Sequence, residues 1–475
     1  MKALRGMSPS AGGIAGSLAI LAASLFTVST TASAATISIA PTLLKHQSSA
    51  KQPLTPQQCV AEWTEPCYDP SQIQAAYNLQ PLYRQGVTGK GQTIVIVDSF
   101  GSPTIASDLA TFDQEFGLAA PPSFKVIQPA GAVPPFDINN SDMVGWAGET
   151  TLDVEWSHVI APQANILLVE TPVSETEGTA GFPQIVEAEN YVIDHHLGDV
   201  ISQSFSATEE TFPTAQSLLD LRSAYINAAR HGVTVLAATG DDGATDAANA
   251  AGTLLYTKPV VTWPPSDPLV TAVGGTQLQL TSLGQRVAPD QVWNDTYNEA
   301  FNEDFFGVPA PDPDAANGGK SVIFSRPSYQ SSVARVVGDQ RGVPDISMNA
   351  ACSSSVNVYE SYPGVAGAWG QYCGTSEATP MFAGVVALAD QVAHHRLGLI
   401  NPALYAMEAG GQRGVVDVTN GNNTVSFSQN GHNYTVHGYS ATPGYDLASG
   451  VGTINAAYFV PELAYTASAV RGRQR

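Results

Sequence analysis

Thr93-Ile94-Val95-Ile96-Val97-Asp98 is a continuous apolar run closed by an acid, the pattern of a short strand buried on both faces. Similar runs follow at 164–169, 200–205, 233–238 and 269–273, and helix-like stretches such as 215–230 lie between several of them. Strands alternating with helices predict an α/β fold, a doubly wound and mostly parallel sheet with helices on both faces. Ligands on such sheets gather beyond the carboxyl ends of the strands, so the residues just after each run are the first candidates for function.

The 475 residues allow one large domain or two to three smaller ones, either with a sizeable core. Twenty Lys plus Arg against 42 Asp plus Glu leave a formal charge of -22, which repels nucleic acid and anionic lipid and excludes both as partners. Only 13% of residues are charged and 43% are hydrophobic, which describes a folded chain, not a disordered polyelectrolyte. An acidic balance also suits work in acid, because protonating carboxylates removes self-repulsion.

Residues 1–34 open with Lys2 and Arg5, pass through an apolar stretch at 14–28 and close on Ala32-Ser33-Ala34. This reads as a cleaved secretory signal peptide and predicts a secreted protein. No later segment has the length and apolarity of a membrane span, so no membrane association is expected after cleavage. Residues 35–66 have no sustained period and read as a short leader or linker, and residues 463–475 as a tail with a frayed basic end. Four cysteines in an exported chain favour disulfides over thiolate chemistry. Three connectivities are possible; Cys59–Cys67 and Cys352–Cys373 are favoured because the first pair closes a short loop and the second flanks a hairpin-like stretch.

Gly374-Thr375-Ser376-Glu377-Ala378-Thr379-Pro380 precedes an apolar, Ala-rich stretch at 381–389 that reads as a buried helix with Ser376 at its amino end. Most serines in that position only cap the helix. Free N–H groups and the helix dipole there also favour a developing anion. Two further stretches change the balance. Gly-Thr-Ser-x-Ala-Thr-Pro-x-x-Ala-Gly is the nucleophile motif of the subtilisin-like fold, and Ala237-Ala238-Thr239-Gly240-Asp241-Asp242-Gly243 resembles that fold's oxyanion loop with Asp in place of Asn. Gly148-Glu149-Thr150-Thr151-Leu152-Asp153-Val154-Glu155-Trp156 supplies an acidic pair at i and i+4, on one face of a helix. Together, in order, these resemble the sedolisin and kumamolisin family of serine-carboxyl peptidases, across roughly residues 67–460.

The resemblance implies a peptidase domain at 67–462 in which Ser376 forms an acyl-enzyme, Glu149 is its base, Asp153 shares a proton with Glu149, and Asp241 serves the oxyanion. The chemistry is self-consistent. Serine needs a base, two close carboxyls resist double ionisation, and a protonated Asp241 donates a hydrogen bond as an Asn would. Without the serine motif, Glu149 and Asp153 would read as a solvated helical face and Asp241 as a turn residue like its neighbour Asp242. A His-dependent triad is not indicated: Asp98 follows the first strand, but His158 sits in an unrelated Trp-Ser-His-Val context. Asp98 reads as structural or cleft-lining, and His158 as a satisfied surface or core residue.

The resemblance further implies one structural Ca2+, bound by side-chain oxygens of Asp417 and Asp446 and main-chain carbonyls of Val418, Thr442 and Gly444. Thr442 stands where the family often has glycine. The stretch between Ala34 and Cys67 is too short for the folded propeptide domain that family members commonly carry. The reading is a secreted, acid-acting serine-carboxyl endopeptidase, a monomer acting on unfolded proteins or peptides. A tripeptidyl exopeptidase of the same chemistry and a non-catalytic binding protein retaining the fold are its rivals.

Overall fold

A computed structural model describes residues 45–474 with the exception of Ala251, Pro309 and Ala366. The signal-peptide reading of 1–34 lies outside the described residues. The central sheet runs Phe124–Ile127, Asn165–Thr171, Thr93–Ser99, Val200–Gln203, Thr234–Ala238 and Thr271–Gln277, all parallel. Ile346–Asn349 extends it in parallel, and Gln291–Val292 pairs antiparallel with the end of Thr271–Gln277. Later strands flank Thr93–Ser99 on both sides, so the order reverses there and a crevice opens at its carboxyl end.

Alternation along the Thr93–Ser99 strand explains why the sheet needs helices on both faces. Ile94 and Ile96 enter one core with Leu152 and Val154 of the Ser141–Ile160 helix and with Met381 and Val385 of the Thr375–Ala393 helix. Val95 and Val97 enter the opposite core with Ile185, Ala188 and Val192 of the Phe182–Asp194 helix and with Ala224 of Ser223–His231. Each such side chain buried contributes about 1.5–3 kcal/mol. The two helices on the first face are themselves buried almost all round, as expected of inner helices, not surface ones.

Two boundaries read from the sequence are corrected. Within the presumed linker, Lys45–Ala50 is a strand paired antiparallel with Ala368–Tyr372. Pro56–Trp63 is a helix opened by a Thr55/Gln58 capping box. Trp63 is buried in the core, and the Cys59–Cys67 disulfide holds the turn after it. The segment looks aperiodic because what orders it is pairing with a strand some three hundred positions away, not a local repeat. At the other end the Ala456–Gln474 helix continues through 462, burying Leu463 and Ala467, and Arg471 Nη1 donates to the Arg396 carbonyl at 2.8 Å. The second disulfide, Cys352–Cys373, ends one residue before Gly374. No helix among the described residues is long and apolar enough to cross a membrane.

Candidate active site

Ser376 is the second residue of the Thr375–Ala393 helix and is 4% exposed. Gly374 precedes the helix with φ 105°, and a Cβ there would lie 2.4 Å from Asp241 Oδ2, so both backbone and space require glycine. Pro380 lies inside the helix and has no N–H to give the Ser376 carbonyl four residues earlier. Ser204 Oγ lies 3.4 Å from that freed oxygen. Ser204 follows the Val200–Gln203 strand and also donates to Asp153 Oδ1 at 2.9 Å. Sequence reading did not single out Ser204, although its place just past an apolar run is the signal that marks candidates on such a sheet.

Glu149 and Asp153 lie on the Ser141–Ile160 helix, which Asn140 caps by accepting from Asp142 and Met143 N–H. Both are fully buried, which rules out a solvated acidic face. Burial is the main cause that raises the Glu149 carboxyl well above its usual range; Asp98 repels its charge further, and the Ser376 hydroxyl acts the other way by favouring the ionised form. Neither Glu149 oxygen has a fully formed hydrogen bond among the described residues. Burial, Asp98 and Glu149 likewise raise Asp153, partly offset by Ser204.

Asp98 is the element whose role the sequence understated. It is fully buried at the end of the Thr93–Ser99 strand, and burial lifts its carboxyl to about 7, with the Thr150 hydroxyl opposing that shift. Its charge raises both Glu149 and Asp153. His158 is buried as expected of a core histidine, with Nε2 2.9 Å from the Ala119 carbonyl and 3.3 Å from Asp113.

Asp241 follows the Thr234–Ala238 strand and is 1% exposed. Its Oδ1 accepts from Thr375 N–H at 2.7 Å and Thr375 Oγ1 at 2.8 Å. Its Oδ2 is buried without a partner beside Gly374. Burial raises the carboxyl to about 7 against the Thr375 bonds, so below that pH it carries a proton, and Oδ2 is the oxygen left to donate it. The four sequence-predicted residues thus come from three separate segments to one place. Ser204, Gly240, Thr375 and Ser376 line a cleft of about 710 Å³ that also takes in Phe427 and Gln429.

The predicted calcium residues converge in part. Asp417 Oδ2 accepts from Gly444 N–H at 3.0 Å, and Asp446 Oδ2 accepts from Thr442 N–H at 2.9 Å. Asp446 Oδ1 accepts from Ala448 and Ser449 N–H, each at 2.9 Å, which orders the second loop. Burial raises Glu408, and Asp417 adds to the shift, which places a third carboxyl close by. Carboxylate oxygens of this kind are the donor type a hard cation such as Ca2+ takes.

A family model described as the subtilase family matches residues 140–405. Over 393 residues the chain is 31% identical to kumamolisin from Bacillus sp. (strain MN-32), covering 81% of this chain and 62% of that protein. It is 26% identical over 370 residues to sedolisin from Pseudomonas sp. (strain 101), covering 78% and 57%. Tripeptidyl-peptidase 1 of Homo sapiens is 28% identical over 334 residues, covering 66% and 51%. The chain therefore spans between half and two thirds of the length of these relatives. Among solved structures, Pseudomonas sedolisin, a serine-carboxyl proteinase complexed with two molecules of pseudo-iodotyrostatin, superposes with a TM-score of 0.66 at 25% identity, covering 87% of this chain and 100% of that one.

Proposed function

The chain belongs to the subtilase family, in its sedolisin branch of serine-carboxyl peptidases, and from that premise we propose that it is a secreted endopeptidase that hydrolyses unfolded proteins in acid. The observation that carries this is the meeting of Glu149, Asp153 and Asp241, all buried, around Ser376, which itself lines the cleft. Ser376 Oγ attacks the scissile carbonyl while its proton passes to Glu149, and Asp153, held by Ser204, shares the pair's proton. Asp241 Oδ2 donates to the oxygen of the tetrahedral intermediate. Glu149 returns a proton to the leaving amine, and water releases the acyl group by the same steps. The cleft takes in residues from Ser376 to Gln429, which supports binding of an extended internal segment.

The test is hydrolysis of acid-denatured protein and of terminally blocked peptides from about pH 3 to about pH 8. Internal cleavage by wild type that Ser376→Ala lacks is the expected result; a folded wild type inert on every substrate overturns the proposal. The tripeptidyl reading, supported by the similarity to tripeptidyl-peptidase 1, predicts instead release of tripeptides from free amino termini and no attack on blocked ones.

Asp241→Asn tests the oxyanion role separately. Asp241 is a donor only while protonated, a state lost as pH rises through about 7. Asn donates at every pH, so the variant's kcat/KM should hold up to a higher pH than wild type, and an unmoved alkaline limb would assign that limb to another group.

We also assign one Ca2+ to Asp417, Asp446 and the carbonyls of Val418, Thr442 and Gly444, where it would tie two loops together and take no part in the chemistry. Chelation should then lower the melting temperature, with restoration by Ca2+ at a concentration set by its Kd. Asp417→Asn should abolish the calcium-dependent part of that stability. A melting temperature indifferent to chelator and to added Ca2+ would remove the site.

A further inference from the structure

The end of the sheet opposite the cleft carries a different chemistry. Helices Phe182–Asp194, Ser223–His231 and Thr375–Ala393 run back against the strands, so their carboxyl ends gather where Val200–Gln203 and Thr234–Ala238 begin. Five of the nine histidines lie at or just beyond those three helix ends: His195 and His196, His231, and His394 and His395, all exposed. Contacts between the segments make them one surface. The His196 and His231 rings lie 5.7 Å apart, Arg396 Nη2 is 3.5 Å from the His196 carbonyl, and Arg471 Nη1 donates to the Arg396 carbonyl at 2.8 Å. Exposed Arg230 adjoins His231, and the N–H of exposed Lys90 donates to Gln391 in the last turn of Thr375–Ala393, which adds fixed positive charge at the margin.

The local geometry suits these rings to a positive charge. His195 Nδ1 is 2.8 Å from the Tyr191 carbonyl, His231 Nδ1 3.1 Å from the Asn227 carbonyl, and His395 Nδ1 2.8 Å from the Arg396 carbonyl. A carbonyl only accepts, so each of these Nδ1 atoms carries the hydrogen and an added proton goes to Nε2. Helix carboxyl ends favour the cation that results. The acids of the same surface are engaged. Asp199 accepts from Arg396 Nε at 2.5 Å and Thr93 N–H at 2.7 Å, Asp194 from Asn227 Nδ2 at 2.8 Å, and buried Asp390 from Leu397 N–H at 2.9 Å.

We propose that this surface binds a polysaccharide carrying sulfate or phosphate esters, with an affinity that rises in acid as its histidines take up protons. Arginine and protonated histidine meet such groups through charge-assisted hydrogen bonds. The cations are spread over three helix ends, which suits a chain of anions and not a single ion. Sulfate and phosphate esters keep their charge in acid, whereas the carboxylates of other acidic polysaccharides are neutralised there as Asp and Glu are. Tyr191, Leu197 and Ile226, the most exposed large apolar side chains on these helix ends among the described residues, are only 37–41% exposed, so a hydrophilic chain fits better than a bilayer. Bound this way, the protein keeps its cleft, at the other end of the strands, clear of the polymer.

The test is binding of the full chain to labelled dextran sulfate, followed by fluorescence anisotropy in low salt at about pH 5.5 and about pH 7.5. The sequence pI is about 4.6, so the protein is net negative at both and binding reports a local patch. Kd should be at least about tenfold lower at the acid pH, and added NaCl should raise it. Replacing the five histidines together by Gln should remove that acid tightening with Tm unchanged, because all five are exposed. Lys90→Glu/Arg230→Glu should weaken binding at both pH values. Absence of binding at the acid pH, equal binding at both, or an acid tightening that survives in the histidine variant overturns the proposal. Equal binding of neutral dextran overturns it too. Displacement by inorganic sulfate at the same concentration of sulfate groups would mean a single-ion site, and binding to anionic phospholipid vesicles without binding to dextran sulfate would mean a membrane surface; either result overturns the polysaccharide assignment. None of these readouts depends on peptide hydrolysis.

Discussion

Ser376→Ala is expected to lower kcat by about five to six orders of magnitude, Glu149→Gln by nearly as much, and the double variant by no more than the worse of the two. The reason is that the two residues act as a unit. A serine hydroxyl without a base is a poor nucleophile, and a base without the serine has no proton to take. Glu149 is buried with neither oxygen committed to a fully formed hydrogen bond among the described residues, which leaves an oxygen open to that proton. Asp153→Asn should cost less, because an amide oxygen can still accept from Ser204 and Glu149 retains its contact with Ser376. Rates on a chromogenic peptide at the optimum pH give the four values. Additive losses in the double variant would mean that Ser376 and Glu149 serve separate steps.

Stability should fall as pH rises from about 4 to about 7, the reverse of ordinary acid denaturation. Burial raises Asp98, Asp241 and Asp246 to about 7 and Glu177 and Glu189 to about 8. Glu155, Asp314, Glu377 and Asp390 are also raised well above their usual values, chiefly by burial. In the unfolded chain these carboxyls ionise near pH 4. A raised folded pKa stabilises the fold fully below the unfolded value, and that contribution is lost as pH climbs through the folded one. Each independently titrating group costs about 1.4 kcal/mol per pH unit inside that window. Three such groups give about 4 kcal/mol per unit, or a fall of about 5 °C in Tm per pH unit for a chain of this size. Calorimetry at several pH values with calcium held constant measures the slope, and Glu189→Gln should reduce it by roughly one group's share. A Tm that is flat or rising across the window would mean that these carboxyls are ionised in the folded protein after all.

Much of this protein was legible in its residue order. Short apolar runs ending at Asp98, Phe205 and Ala238 specify buried parallel strands because a strand covered on both faces has no polar side to show. The Ser376, Asp241 and Glu149/Asp153 stretches are local motifs, each readable within a few residues, and the structure brings them together as their order implied. The two disulfide pairs follow from proximity along the chain. What only the tertiary structure decided depends on residues distant in sequence. Lys45–Ala50 is a strand because Ala368–Tyr372 accepts it, and the last helix stays folded past 462 because the core takes Leu463 and Ala467. Asp98 and Ser204 joined the site through space, and Glu177 and Asp246 line one cleft from loops after different strands. Burial, charge repulsion and an unmet hydrogen bond are properties of what surrounds a side chain in three dimensions, so a single acid in the sequence carries no mark of them.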